Sequence, residues 1–193
     1  MSFRRIVAAL ALIAAATLMA TPGHTSEALQ ALDVSADGSR IINLIVHPEP
    51  RAAPDIRFFD ADGKTLTLKD FRGQYTAVHF WATWCFPCRG ELPTIDHLQG
   101  ELGPEKIVVL PLSLDRNGPA QVAEFYGEVS IQHMPVYIDD GMEAARTMRV
   151  NGIPATIFVD PQGREVARVL GDRDWSTPEV IALVKGMVSQ VKQ

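Results

Sequence analysis

Cys85 and Cys88 are the only cysteines in this 193-residue chain, and Phe86 and Pro87 separate them. Upstream, Ala77–Trp81 is a short run of apolar, β-branched and aromatic residues, which predicts a buried strand. Downstream, a helix is expected from Phe86 to about Leu102, kinked at Pro93. The cysteine pair therefore falls where a strand ends and a helix begins, and this juncture restricts what the motif can do. Only 2 cysteines exist, so neither a four-cysteine zinc site nor a disulfide-rich scaffold can be built. A purely structural bridge would close a tiny loop and remove little entropy from the unfolded chain. What remains is a pair that cycles between disulfide and dithiol.

The two sulfurs are expected to be unequal. Cys85 lies at the helix start, where the macrodipole and free N–H groups stabilise a thiolate, so it is the expected nucleophile. Cys88 lies one turn further in, more buried, and is suited to resolving a mixed disulfide formed on Cys85. Pro87 removes a donor and stiffens the loop. Phe86 is expected to project outward beside the nucleophile and meet a client, with Trp84 framing the same site. Glu91 follows Cys88 by three residues and shares its helix face, where it is either a proton acceptor for the buried thiol or a solvated glutamate. His79, on the strand beneath the motif, is either a proton relay to Cys88 or a core histidine satisfied by its neighbours. His133 and Met134 do not form a copper pair if they lie on a strand, because adjacent side chains point to opposite faces.

The rest of the chain supplies alternating strands and helices. Ile56–Phe59 and Thr65–Leu68 flank Asp62-Gly63 and predict a β-hairpin. Lys106–Leu114 predicts a strand buried on both faces. Pro119–Val129 predicts a helix opened by proline, Val136–Ile138 a short strand and Met142–Val150 a short helix. Thr156–Val159 and Glu165–Leu170 form a second hairpin around Asp160-Pro161-Gln162-Gly163. A last helix, capped by Thr177, runs from Pro178 to about Val191. This order predicts an α/β fold around a central mixed sheet. Hydrophobic residues at 47% and charged residues at 21% suit one globular domain, and a net charge of -5 advertises no nucleic-acid surface.

The N-terminus points outward from the cytoplasm. Arg4 and Arg5 precede the apolar run Ile6–Ala20, followed by Pro22 and Gly23, the order of an export signal. The run is shorter than the ~18–20 residues of a comfortable membrane helix. Residues 1–28 are thus read as a cleaved signal peptide or an inner-membrane anchor. Residues 29–54, with Pro48, Pro50 and Pro54, are read as a tether bearing one short strand at Ile41–Val46. The domain proper is expected over residues 55–193, in the periplasm in either case.

Phe80-Trp81-Ala82-Thr83-Trp84-Cys85-Phe86-Pro87-Cys88-Arg89 resembles the thioredoxin superfamily, and is most similar to its TlpA/ResA/CcmG branch of thiol:disulfide oxidoreductases. Asp60–Gly63, Leu68–Gly73, Glu91-Leu92-Pro93, Gly152–Thr156 and Gly171–Trp175 extend the resemblance over about Pro54 to Val191. It implies a thioredoxin fold with an N-terminal β-hairpin and a central strand–helix insert between Asp115 and Val150. It implies a cis peptide at Ile153-Pro154, whose backbone lies beside the cysteines and pairs with an extended client segment. Glu91 matches the branch's acidic residue near the site. His79 departs from it: thioredoxins commonly place an acidic residue there, and this branch usually a neutral polar one. The resemblance further implies exported client proteins such as apocytochromes c or copper-delivery proteins, a membrane electron relay as reductant, and no cofactor. Two other readings are weaker. A peroxidase of this fold needs threonine or serine three residues before its cysteine, where this chain has Ala82. A copper carrier of the Sco type uses a wider cysteine spacing and a partner histidine.

Overall fold

The computed structural model describes residues 43–189. They form an eight-stranded sheet in the order β1-β8-β7-β4-β5-β6-β2-β3. The strands are β1 (Leu44–Ala52), β2 (Arg57–Asp60), β3 (Thr65–Thr67), β4 (Tyr75–Trp81), β5 (Ile107–Ser113), β6 (Tyr137–Ile138), β7 (Ala155–Val159) and β8 (Arg164–Leu170). The helices are α1 (Phe86–Leu102), α2 (Pro119–Glu128), α3 (Glu143–Thr147) and α4 (Pro178–Ser189).

Strand β4 lies at the centre, and every one of its residues is buried. It runs parallel to β5, with His79 opposite Pro111, and antiparallel to β7, with His79 opposite Thr156. Burial on both faces is why this run, largely apolar apart from Thr76 and His79, lacks the strict apolar–polar alternation of a half-exposed strand. At its C-terminal end Trp81 is fully buried, its ring 5.7 Å from Phe125 and 5.8 Å from Tyr126 of α2. Helix α4 turns Leu183, Val184 and Met187 toward Phe158, Ala167 and Trp175. The helix α1 continues through Pro93 without interruption.

The hairpin β2–β3 joins the sheet through the insert. Phe59 pairs with Ile138 and Asp60 with Tyr137, so β6 bridges the hairpin to β5. Phe58, Phe71 and Tyr137 gather their rings at this seam, with 5.1 Å between Phe58 and Tyr137. α3 is shorter than expected, with left-handed residues at both ends, Met142 (φ 55°) at its start and Arg149 (φ 56°) just past its end. Thr177 caps α4 as expected, its Oγ1 accepting the Val180 N–H; Val191 lies outside the described residues.

Residues 1–42, which carry the expected signal or anchor and the first part of the expected tether, lie outside the described residues; the part of the tether from Leu44 to Ala52 needs correction. Leu44–Ala52 is strand β1, antiparallel to β8 and at the sheet edge. Leu44–Val46 pair with Ala167–Val169, the register then shifts, and Arg51 and Ala52 pair with Glu165 and Arg164. Pro48 and Pro50 fall within that shift. Proline lacks a ladder donor, but an edge strand needs only one bonded side and a bulge frees more positions. The two prolines that suggested a linker are therefore compatible with a strand here. His47 Nε2 lies 2.7 Å from Glu165 Oε1, and Arg168 bonds the same carboxylate, which ties the bulge to β8. The start expected at Ile41 lies outside the described residues.

Candidate active site

The α1 N-terminus places the cysteines. Cys85 is its N-cap, in extended conformation, and the Cys85 sulfur accepts the Cys88 backbone N–H at 3.3 Å. The two sulfurs are joined in a disulfide with Cα atoms 5.2 Å apart. Cys85 is 6% exposed and Cys88 is completely buried. Both features suit the unequal roles read from the motif: the Cys88 N–H of the first turn points at the Cys85 sulfur, and of the two sulfurs' residues only Cys85 reaches the surface. In the reduced protein, iodoacetamide is expected to alkylate Cys85 several-fold faster than Cys88 near pH 7. Mass mapping of the labelled peptide checks this, and equal rates would count against the assignment.

The surrounding surface is apolar. Trp84 is 64% exposed and Phe86 87% exposed, so the two rings flank the disulfide in solvent, with Pro87 exposed beside them. Trp81 belongs to the core instead. The Ile153–Pro154 bond is cis, and the Ile153 carbonyl oxygen lies 3.8 Å from Cys85 Sγ. Ile153 is half-buried and Pro154 is buried. A cleft of about 560 Å³ opens alongside, lined by Phe86, Arg89, Glu91, Phe125 and Arg173 among others.

Glu91 is buried, not a solvated glutamate on the helix face. Its Oε1 accepts the Trp175 indole N–H, and its Oε2 has no partner. Burial pushes its carboxyl up to about 8, against the lowering effect of the Trp175 bond, and nearby Asp172 adds to the rise. A carboxyl one turn from Cys88 that titrates near neutrality can hold or take a proton in the working range. His79 is fully buried, and its Nδ1 lies 3.0 Å from Thr156 Oγ1. Its Nε2 has no hydrogen-bond partner, so it bonds neither cysteine. Burial lowers its pKa to about 3, which keeps the imidazole neutral. The structure thus gathers Cys85, Cys88, Trp84, Phe86, Pro87, Glu91, Ile153 and Pro154 at one pole and leaves His79 inside the sheet. His133 and Met134 lie on a loop rather than a strand, Met134 buried in the core, and no metal-binding cluster occurs among the described residues.

Three site residues carry roles that the sequence did not assign. Trp175, fully buried, is the partner of Glu91, and Thr94 joins them: its Oγ1 accepts the Trp175 backbone N–H and donates to the Glu91 carbonyl. Asp115 bonds Thr83, two residues before Cys85. A sheet with β4, α1 and a cis-proline loop around a Cys-x-x-Cys disulfide defines a thioredoxin-type thiol:disulfide oxidoreductase.

Comparison with known proteins agrees. Residues 50–167 match the AhpC/TSA family, and the chain belongs to that family. The thiol-disulfide oxidoreductase ResA of Bacillus thuringiensis subsp. konkukian is 30% identical over 123 residues, 64% of this chain and 70% of the relative. ResA of Bacillus subtilis is 26% identical over 119 residues, covering 62% and 65% of the two chains. Among solved structures, the thioredoxin domain of a thiol-disulfide oxidoreductase from Bacteroides vulgatus aligns at TM-score 0.60 and 26% identity, over 71% of this chain and 95% of that one. A thiol:disulfide interchange protein from Chlorobium tepidum aligns at TM-score 0.60 and 23% identity over 72% and 97%, a likeness of fold.

Proposed function

We propose that this chain is a periplasmic reductase for disulfides in selected exported proteins, among them apocytochromes c or copper-delivery proteins. The observation that carries the reading is the Cys85–Cys88 disulfide at the α1 N-terminus, beside the Ile153 backbone and one turn from buried Glu91. The Cys85 thiolate attacks one sulfur of the client disulfide. A mixed disulfide forms and the first client thiolate leaves. Glu91, as carboxylate, accepts the Cys88 proton, and the Cys88 thiolate attacks the Cys85 sulfur. The second client thiolate leaves, the client has gained two electrons, and the chain holds a disulfide again. Trp84, Phe86 and Ile153 give the client segment apolar contact, while the backbone around Pro154 offers it an extended pairing partner. A membrane electron relay returns the two electrons. His79 packs the strand below and takes no part in the proton path.

The export reading rests on the N-terminal sequence and on the outward-facing chemistry of a disulfide clientele. No helix among the described residues is long and apolar enough to cross a membrane. Direction of flow is tested by equilibrating the protein with glutathione buffers. The couple is expected nearer the ~-270 mV of thioredoxin than the ~-120 mV of DsbA. A potential at the oxidant end would overturn the reductase assignment.

A further inference from the structure

The turn that delivers Cys85 to the helix start is held by a buried carboxylate from another strand. Asp115, just past β5, is 1% exposed. Its Oδ2 accepts the Thr83 backbone N–H at 2.9 Å and the Ser113 hydroxyl at 2.6 Å, and its Oδ1 accepts the Thr83 hydroxyl at 2.7 Å. The Asp115 N–H in turn bonds Ser113 Oγ at 3.1 Å. Thr83 is used completely. Its Oγ1 accepts from Gln121 Nε2 of α2 at 2.8 Å, and its carbonyl accepts from Arg89 of α1 at 3.2 Å. Arg89 is itself placed, with its guanidinium 4.5 Å from the Phe125 ring centre. The following turn closes where the Cys85 N–H bonds the Ala82 carbonyl at 3.1 Å.

We propose that Asp115 is a positioning residue of the dithiol: by clamping Thr83 it fixes the turn that makes the Cys85 sulfur the α1 N-cap, and so sets the stability of the Cys85 thiolate. The proposal rests on the dithiol reading above and goes beyond it. The physical reason is directional. A thiolate at an N-cap is stabilised only while its sulfur stays in line with the first-turn N–H groups. Thr83 is two residues away, so any spread in its orientation passes directly into Cys85. A clamp wholly of hydrogen bonds, buried and closed on itself, removes that spread. An opposing effect exists, since a negative charge near the site disfavours a second one. The two are separable, because removing the Thr83 hydroxyl loosens the clamp without changing any charge.

The test measures iodoacetamide alkylation of Cys85 against pH in reduced protein for the parent, Thr83→Val, Thr83→Ser and Asp115→Asn. Thr83→Val is expected to raise the midpoint by about one pH unit and to slow the pH 7 rate by up to tenfold. Thr83→Ser keeps the hydroxyl and is expected to restore the parental midpoint. Asp115→Asn must turn an amide N–H₂ toward one of the three donors, and is expected to raise the midpoint as well. A midpoint unchanged in Thr83→Val would overturn the proposal, as would a downward shift in Asp115→Asn, which is the sign of a purely electrostatic effect. If Asp115→Asn fails to fold, the Val and Ser pair at position 83 decides alone. A parent whose Cys85 shows no thiolate-dependent alkylation would overturn the dithiol reading itself, a result distinct from loss of the difference between variants.

Discussion

Cys88→Ser is expected to abolish turnover and accumulate client mixed disulfides on Cys85. Cys85 makes the first attack, and its sulfur is stabilised by the backbone N–H of residue 88, which the substitution leaves in place. The incoming serine has no sulfur with which to resolve the bond. Attack should therefore proceed at close to the parental rate, while steady-state reduction of a peptide disulfide falls to the uncatalysed background. Position 88 is fully buried, so a hydroxyl there without a partner costs about 1–3 kcal/mol of stability. Cys88→Ala avoids that cost and should trap in the same way, which separates loss of chemistry from loss of fold. Non-reducing electrophoresis and mass analysis of the adducts also identify the clients. Cys85→Ser should capture none. Adducts on position 88 in that variant, in place of position 85 in the first, would reverse the roles of the two sulfurs.

Much of this site was legible because its parts are local. The Cys85–Cys88 pair, its strand-to-helix setting and the Ile153-Pro154 loop each occupy a few consecutive residues, and each carries its chemistry in its own spacing. The contacts that tune the site are not local. Glu91 and Trp175 are 84 residues apart, and Thr83 and Asp115 are 32 apart. No periodicity links such positions, and a single sequence offers no other signal for them. Glu91 itself was readable as a helix neighbour of Cys88, but its environment was not, because whether it faces water or an indole depends on where the loop before α4 returns. The edge strand β1 was misread for a different reason. Pro48 and Pro50 signal irregular chain, and only the partner strand β8 reveals that they sit at a register shift where a missing donor does little harm. His79 shows the limit from the other side: its position beneath the motif suggested chemistry, and its hydrogen bond to Thr156 assigns it to the sheet.

Glu91→Gln is expected to stabilise the oxidised protein at alkaline pH while slowing its reaction. Burial raises the Glu91 carboxyl from 4.5 to about 8. Between those values the folded chain holds a proton that the unfolded chain has released, so stability falls as pH rises through that window. Below about pH 4.5 both states are protonated and the penalty is absent; above about pH 8 it is complete. Glutamine resembles the protonated acid and does not titrate. The variant should match the parent near pH 4.5 and exceed it at pH 8 by a few kcal/mol at most. Thermal melts at the two pH values read this directly. The kinetic consequence runs the other way. Cys88 must lose its proton in a site with no other carboxylate within one helical turn on its own helix, and an amide cannot accept it. The resolving step should slow by roughly 10²-fold, with the first attack by Cys85 little changed. Trp175→Phe supplies the check on mechanism. It removes the largest of the interactions that hold the Glu91 carboxyl down, the others coming from Arg173, so the pH at which the resolving step gains its base should move upward, not vanish. Stopped-flow reaction with a disulfide peptide from pH 5 to 10 separates the two steps. Parallel stability curves for parent and Glu91→Gln, together with an unaltered resolving step, would reduce Glu91 to a packing residue that happens to lie near the dithiol.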